Sequence, residues 1–183
     1  MSVSLPALPR GTRFDPELVE AGGVLRSALG GPDQALLRFG DKLRIAYVLP
    51  TQSAACARAW VAAQMGAKAA GATVRAFVPQ VGVGPTGVTG VGSAGSLSVT
   101  ATGAGAVAVG QWFSFEAGGL SYLHLVTAND DGDLTVAPRL RTALSGAMTF
   151  AAPVIEGFLD AAPTWSVERL RFVGLSFSIA EAR

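Results

Sequence analysis

The chain has one histidine, His124, in the run "QWFSFEAGGLSYLHLVTANDDGD" at 111–133, and three acids, Asp130, Asp131 and Asp133, follow close behind it. A histidine near carboxylates is the composition of a general acid–base site, and a serine nucleophile would complete a triad. No G-x-S-x-G elbow is present to place that serine. The stretch "SYLHLVT" instead alternates as a strand does, with Tyr122, His124 and Val126 on one face and Leu123 and Leu125 on the other. The pattern predicts an ordinary strand histidine, free to face solvent or a subunit contact.

The acids invite two further chemistries. "NDDGD" resembles the opening of a calcium loop, but counting from Asn129 puts Leu140 where the bidentate glutamate belongs. A hairpin turn at Asp131-Gly132 accounts for the same residues. Three acids on one tight turn diverge more readily than they flank a sugar, which argues against a glycosidase pair.

"GVGPTG", Gly82–Gly87, has dinucleotide-fingerprint spacing but is followed by more glycines and valines instead of a helix, and no acid stands ~20 positions on. Cys56 is the only cysteine, which excludes an intramolecular disulfide framework and any multi-cysteine zinc site. Its place near Trp60 predicts a small buried hydrophobe, since nothing brings His124 to it. Trp112 and Trp165 read as core residues rather than as a sugar platform. No catalytic, metal-binding or cofactor-binding residue is assigned, and no cofactor is expected.

The elements that position these residues are mostly strands. "DKLRIAYVLP" at 41–50 places Leu43, Ile45, Tyr47 and Leu49 on one face, and Pro50 ends it. "TQSAACARAWVAAQMGAK" then predicts a helix over about 52–69, capped by Thr51 or Ser53, with Cys56, Ala59, Trp60, Ala63 and Ala67 along one stripe. Gly71 closes it. Further strands are expected at 73–80, 96–101, 111–115, 120–127, 133–138, 147–150, 153–160 and 169–180, with hairpin turns at "EAGG" and "NDDG". Residues 1–40, dense in proline and glycine, read as an extended N-terminal arm or lead-in, and the glycine-rich run about 81–95 as a long loop. The fold class is therefore mainly β, a β-sandwich or barrel with one flanking α-helix over 41–183.

Composition narrows the function. Half of the 183 residues are hydrophobic and 15% are charged, with a formal net charge of +1 and no basic block. This leaves no footprint for nucleic-acid binding, and no apolar run is long enough for a membrane span. The N-terminus "MSVSLPALPRGTRF" has no secretory pattern, so synthesis in a cytoplasm is expected. So charge-poor a surface is poorly solvated alone, which favours cover by partner subunits.

The order of motifs from about residue 30 to the end resembles the distal tail proteins of long-tailed, siphovirus-type bacteriophages and prophages. The matching features are Gly40-Asp41 before a strand ending in Leu49-Pro50, an alanine-rich helix with Trp60, and a strand ending at Pro79. A glycine-rich segment follows, then Gly110 and Trp112, "YLHLVT", an acidic glycine turn, "VAPRLR" at 136–141, and Pro153, Phe158, Trp165 and "FSIAEA" at 177–182. Lys42-Leu43, where relatives often carry an aromatic, and the charge-free 81–110 stretch depart from that pattern.

The resemblance implies a tail-tube-like β-sandwich with a flanking helix, built into the virion as a non-enzymatic structural protein. Its copies would form a homo-oligomeric ring, a hexamer, between the tail tube protein and the hub or baseplate, around a channel that DNA traverses without specific binding. Arg139 and Arg141, two residues apart on one strand face, are expected at an inter-subunit contact through carboxylate pairing, with two solvated arginines on an edge strand as the alternative. Asp130, Asp131 and Asp133 are expected to line the channel and repel DNA. The rival readings are a tube or terminator subunit and a carbohydrate-binding sandwich for host attachment.

Overall fold

The computed structural model describes residues 2–27, 30–36, 40–80, 82–168 and 171–182. Alternation sets the central strand: in β5 (Lys42–Val48) and just beyond it, Leu43, Ile45, Tyr47 and Leu49 are all buried. β5 pairs antiparallel with β16 (Arg171–Glu181) on one side and with β2 (Arg13–Val19) on the other. The sheet continues from β16 through β14 (Val154–Leu159) and β7 (Thr73–Phe77) to β1 (Ser2–Ser4), which runs parallel to β7. Two further strands, β6 (Gln52–Ser53) and β15 (Thr164–Glu168), pair with β16. Within the proline-rich lead-in, β2 aligns with β5 along its whole length, with Pro16 on the sheet's outer strand, where a missing N–H is tolerated.

Among the described residues the one α-helix, α1 (Ala54–Ala70), starts where Ser53 accepts a hydrogen bond from the Cys56 N–H and stops where Gly71 turns left-handed. It buries Ala57, Trp60, Gln64 and Ala67, with the Trp60 ring 5.6 Å from Phe177, which stacks on Tyr47 at 5.0 Å. The buried stripe is thus displaced from the expected one, and Cys56 and Ala59 face outward. Trp60 and Ala67 form one core with residues of β5, β7, β14 and β16.

A second sheet has its own core. Its order is β10 (Trp112–Ala117), β11 (Leu120–Asp130), β12 (Asp133–Ala137), β9 (Ser98–Thr102), β8 (Thr89–Gly92) and β13 (Leu144–Ala147). Its outer strands nearly meet, because Ser114 of β10 and Thr149 just past β13 exchange two backbone hydrogen bonds of 3.0 and 2.8 Å. The sheet is therefore a nearly closed barrel filled by Val99, Phe113, Phe115, Val126, Leu134, Leu144 and Phe150. The strand expected at 147–150 lies earlier, at Leu144–Ala147.

The glycine-rich run is only partly loop, since β8 lies inside it. Gly90 and Gly92 face the barrel interior, and a Cβ on Gly90 would sit 2.6 Å from the Met148 sulfur. One on Gly92 would sit 2.5 Å from Leu140. Small residues on β8 make room for large ones opposite. The two expected hairpin turns are present at Gly118-Gly119 and Asp131-Gly132, all four residues with positive φ, the geometry that suits two-residue loops.

A third, two-stranded sheet stands apart. Among the described residues β3 (Gly23–Leu25) and β4 (Gln34–Leu36) pair only with each other, and Val24 and Leu25 are more than half exposed. Among the described residues no helix is long and apolar enough to cross a membrane.

Candidate functional site

His124 lies inside the barrel and is 1% exposed. Its ring stacks on Phe115 at 5.5 Å and lies 5.6 Å from Phe113. Nδ1 is 3.0 Å from the Pro138 carbonyl, so Nδ1 carries the proton and donates it, while Nε2 has no hydrogen-bond partner among the described residues. Burial lowers its pKa to about 4; the Pro138 bond opposes that shift and the charge of Arg141 adds to it. The imidazole is neutral and walled by aromatics. Asp130 is six residues further along the strand, about 20 Å at the rise of a strand, so the acids do not meet the histidine.

Asp130, Asp131 and Asp133 are all exposed at the β11–β12 tip. Asp133 accepts a 3.0 Å hydrogen bond from the Thr100 hydroxyl, and Asn129 braces the turn by accepting from the Gly132 N–H. The Asn129 amide also donates to the Ala104 and Val107 carbonyls, tying the tip to the neighbouring loop. Gly82–Gly87 leads into β8 without an intervening helix, so it lacks the dipole end that a pyrophosphate needs. Among the described residues no group of three or more His, Cys, Asp or Glu is placed to hold a metal ion.

The two arginines are not on a strand. They lie in the loop between β12 and β13, and each has a partner within the chain. Arg139 donates to the Gly95 carbonyl at 3.2 Å. Arg141 forms a 2.7 Å ion pair with the buried Glu181, and its guanidinium lies 5.7 Å from the Tyr122 ring centroid. Arg141 has thus found its carboxylate inside its own subunit.

That pair belongs to a cluster the sequence reading missed. β11 runs beyond the end of β12, leaving the Ser121 and Leu123 N–H groups without a strand partner on that side. Two carboxylates from the first sheet supply acceptors: Glu156 takes the Ser121 N–H at 3.0 Å and Glu181 the Leu123 N–H at 2.8 Å. Glu156 also accepts from Arg75 at 2.6 Å and Thr73 at 3.0 Å, and Glu181 from the Leu43 N–H at 3.1 Å.

Burial pushes Glu156 up, but Arg75, the Ser121 N–H, Ser2 and Thr73 outweigh it and hold its carboxyl below the usual range. Burial prevails at Glu181 and raises it, against Arg141, the Leu123 and Leu43 N–H groups and Lys42. A carboxylate saturated by arginine and backbone donors is a brace, not a base. The only sequence signal was a lone acid amid apolar strand residues in "VIEGFL" and "FSIAEA".

Beside this cluster an apolar trough of about 280 Å³ separates Pro16, Leu18 and Leu43 of the first sheet from Trp112, Leu125 and Pro138 of the barrel. Trp112 and Trp165 are both partly buried against the first core. No protein-family model matches the chain, and no curated protein matches it.

Proposed function

We propose that the chain is a non-enzymatic structural subunit of a phage tail tip, assembling as a ring that joins the tail tube to the hub or baseplate around the DNA channel. The observation that carries this reading is the separate β3–β4 pair. Two strands alone are marginal in water, and this pair leaves Val24 and Leu25 exposed, so a neighbouring copy is the natural cover. The order of motifs in the sequence supports the tail-tip assignment, and the low charge of the chain supports assembly.

The buried carboxylates Glu156 and Glu181 brace the fold, which favours a structural role over a catalytic one. Within this reading the exposed acidic tip at Asp130, Asp131 and Asp133 faces the channel. Light scattering and negative-stain electron microscopy of the purified chain test the assembly, with a closed ring around a central channel as the expected result. A subunit that stays monomeric even when mixed with tail tubes overturns the proposal. Reversal of the three aspartates to lysine tests the channel assignment: slowed DNA ejection is expected, and unchanged ejection removes it.

A further inference from the structure

β7 and β14 are direct neighbours: Phe77 registers with Val154, and the Val78 N–H donates to the Pro153 carbonyl at 2.8 Å. Everything between them, the whole barrel, is therefore an insertion into a hairpin of the first sheet. Each part has its own hydrophobic cluster, and of the barrel's residues Leu123 and Trp112 reach into the sheet's core.

Beyond these two residues and the apolar trough, the seam is bridged by polar contacts. It is held by the Glu156 and Glu181 bonds to β11, the Arg141–Glu181 pair, a 3.1 Å Arg75–Glu116 pair and a bond from the Val154 N–H to the Ser114 hydroxyl. At the crossing, Gln80 binds the Trp112 backbone through both its N–H and carbonyl and also the Phe150 carbonyl. The trough beside Trp112 leaves part of the seam unfilled. Polar, incompletely packed contacts between parts with separate cores give way before the cores do.

We propose that the barrel opens against the sheet as a unit, with Glu156 and Glu181 as the fastening and the two chain crossings, at Gln80 and near Pro153, as the hinge. Opening separates β11 from the carboxylates and uncovers Leu123 and Trp112 while both cores stay folded. This motion belongs to the single chain, whether or not it assembles.

Native-state amide exchange on the full chain, followed by NMR across a series of sub-denaturing urea concentrations, tests it. The Ser121 and Leu123 amides are expected to exchange through an opening shared by both and smaller than the one that exposes Val99 and Leu134 in the barrel or Ile45 and Ile179 in the sheet. Glu181→Gln is expected to speed exchange at Leu123 by about tenfold, as loss of a charge-assisted bond implies, with Val99 and Leu134 unchanged. Exchange of all six amides through one common opening in the wild-type protein overturns the proposal, and that measurement stands even where the variant does not fold.

Discussion

Gln64 is fully buried on the inner face of α1, and neither its amide oxygen nor its nitrogen has a partner among the described residues. An unsatisfied buried amide costs roughly 1–3 kcal/mol, so Gln64→Met, close in shape and free of that penalty, is expected to stabilise the protein by about 1 kcal/mol, read as a higher urea midpoint. His124 sets a pH dependence of known sign. Its pKa is lowered from 6.5 to about 4, so between those values the unfolded chain binds a proton that the folded chain does not. Stability is complete above 6.5 and falls as pH drops toward 4, at up to about 1.4 kcal/mol per pH unit. Glu156, held low, adds a loss at more acidic pH, and the raised Glu181 acts oppositely, its contribution declining as pH rises through its own range. Comparing wild type with His124→Phe isolates the histidine: the variant is expected to lose the histidine's share of the slope between pH 6.5 and 4 in urea titrations. A slope left unchanged by the substitution refutes this assignment.

At the scale of elements, two glycines separate yielding from unyielding contacts. A Cβ at Gly90 meets the side chains of Met148, Leu144 and Val99, which can shift, so Gly90→Ala is expected to cost about 1–3 kcal/mol. A Cβ at Gly157 would collide with the Ala180 backbone carbonyl on the paired strand β16, which cannot shift without breaking register. Gly157→Ala is therefore expected to cost more, about 3 kcal/mol or above, and urea unfolding of both variants checks the order. These positions also show what was legible in the sequence. β5, β7 and the β10–β11–β12 meander announce themselves through alternation and turn residues, and α1 through alanine and its caps. β8 does not, because its glycines are inward residues whose role is set by Leu140, Leu144 and Met148, fifty or so residues away in the chain. The inner face of α1 was misplaced because a polar Gln64 occupies it while an apolar Cys56 lies outside. The candidate site was harder still: the turn holding Asp131 and Gly132 is a local signal, but Glu156 and Glu181 act only once two sheets meet, and Arg141 took its partner from that meeting.

At the scale of the whole molecule, the fold has satisfied most of its demanding groups internally and left its apolar surplus outside. The buried carboxylates are braced, the barrel is nearly closed against edge pairing, and Pro16 interrupts the outer strand β2. Among the described residues the β3–β4 pair has no such protection, and its exposed Val24 and Leu25 belong to neither hydrophobic core. If these side chains are covered only in the assembly, replacing them with lysine affects association and leaves the subunit intact. Val24→Lys with Leu25→Lys is therefore expected to shift the urea midpoint of the subunit by no more than about 0.5 kcal/mol, as exposed substitutions do. Burying two lysines at a contact costs several kcal/mol, so the same variant is expected to lose rings in electron micrographs and run as a monomer in light scattering. Cys56, the only cysteine and exposed on α1, allows both proteins to be labelled at one position and their association compared by fluorescence anisotropy. Rings that persist in the double variant show that the β3–β4 pair is not the contact; a subunit that unfolds shows instead that the pair supports its own chain.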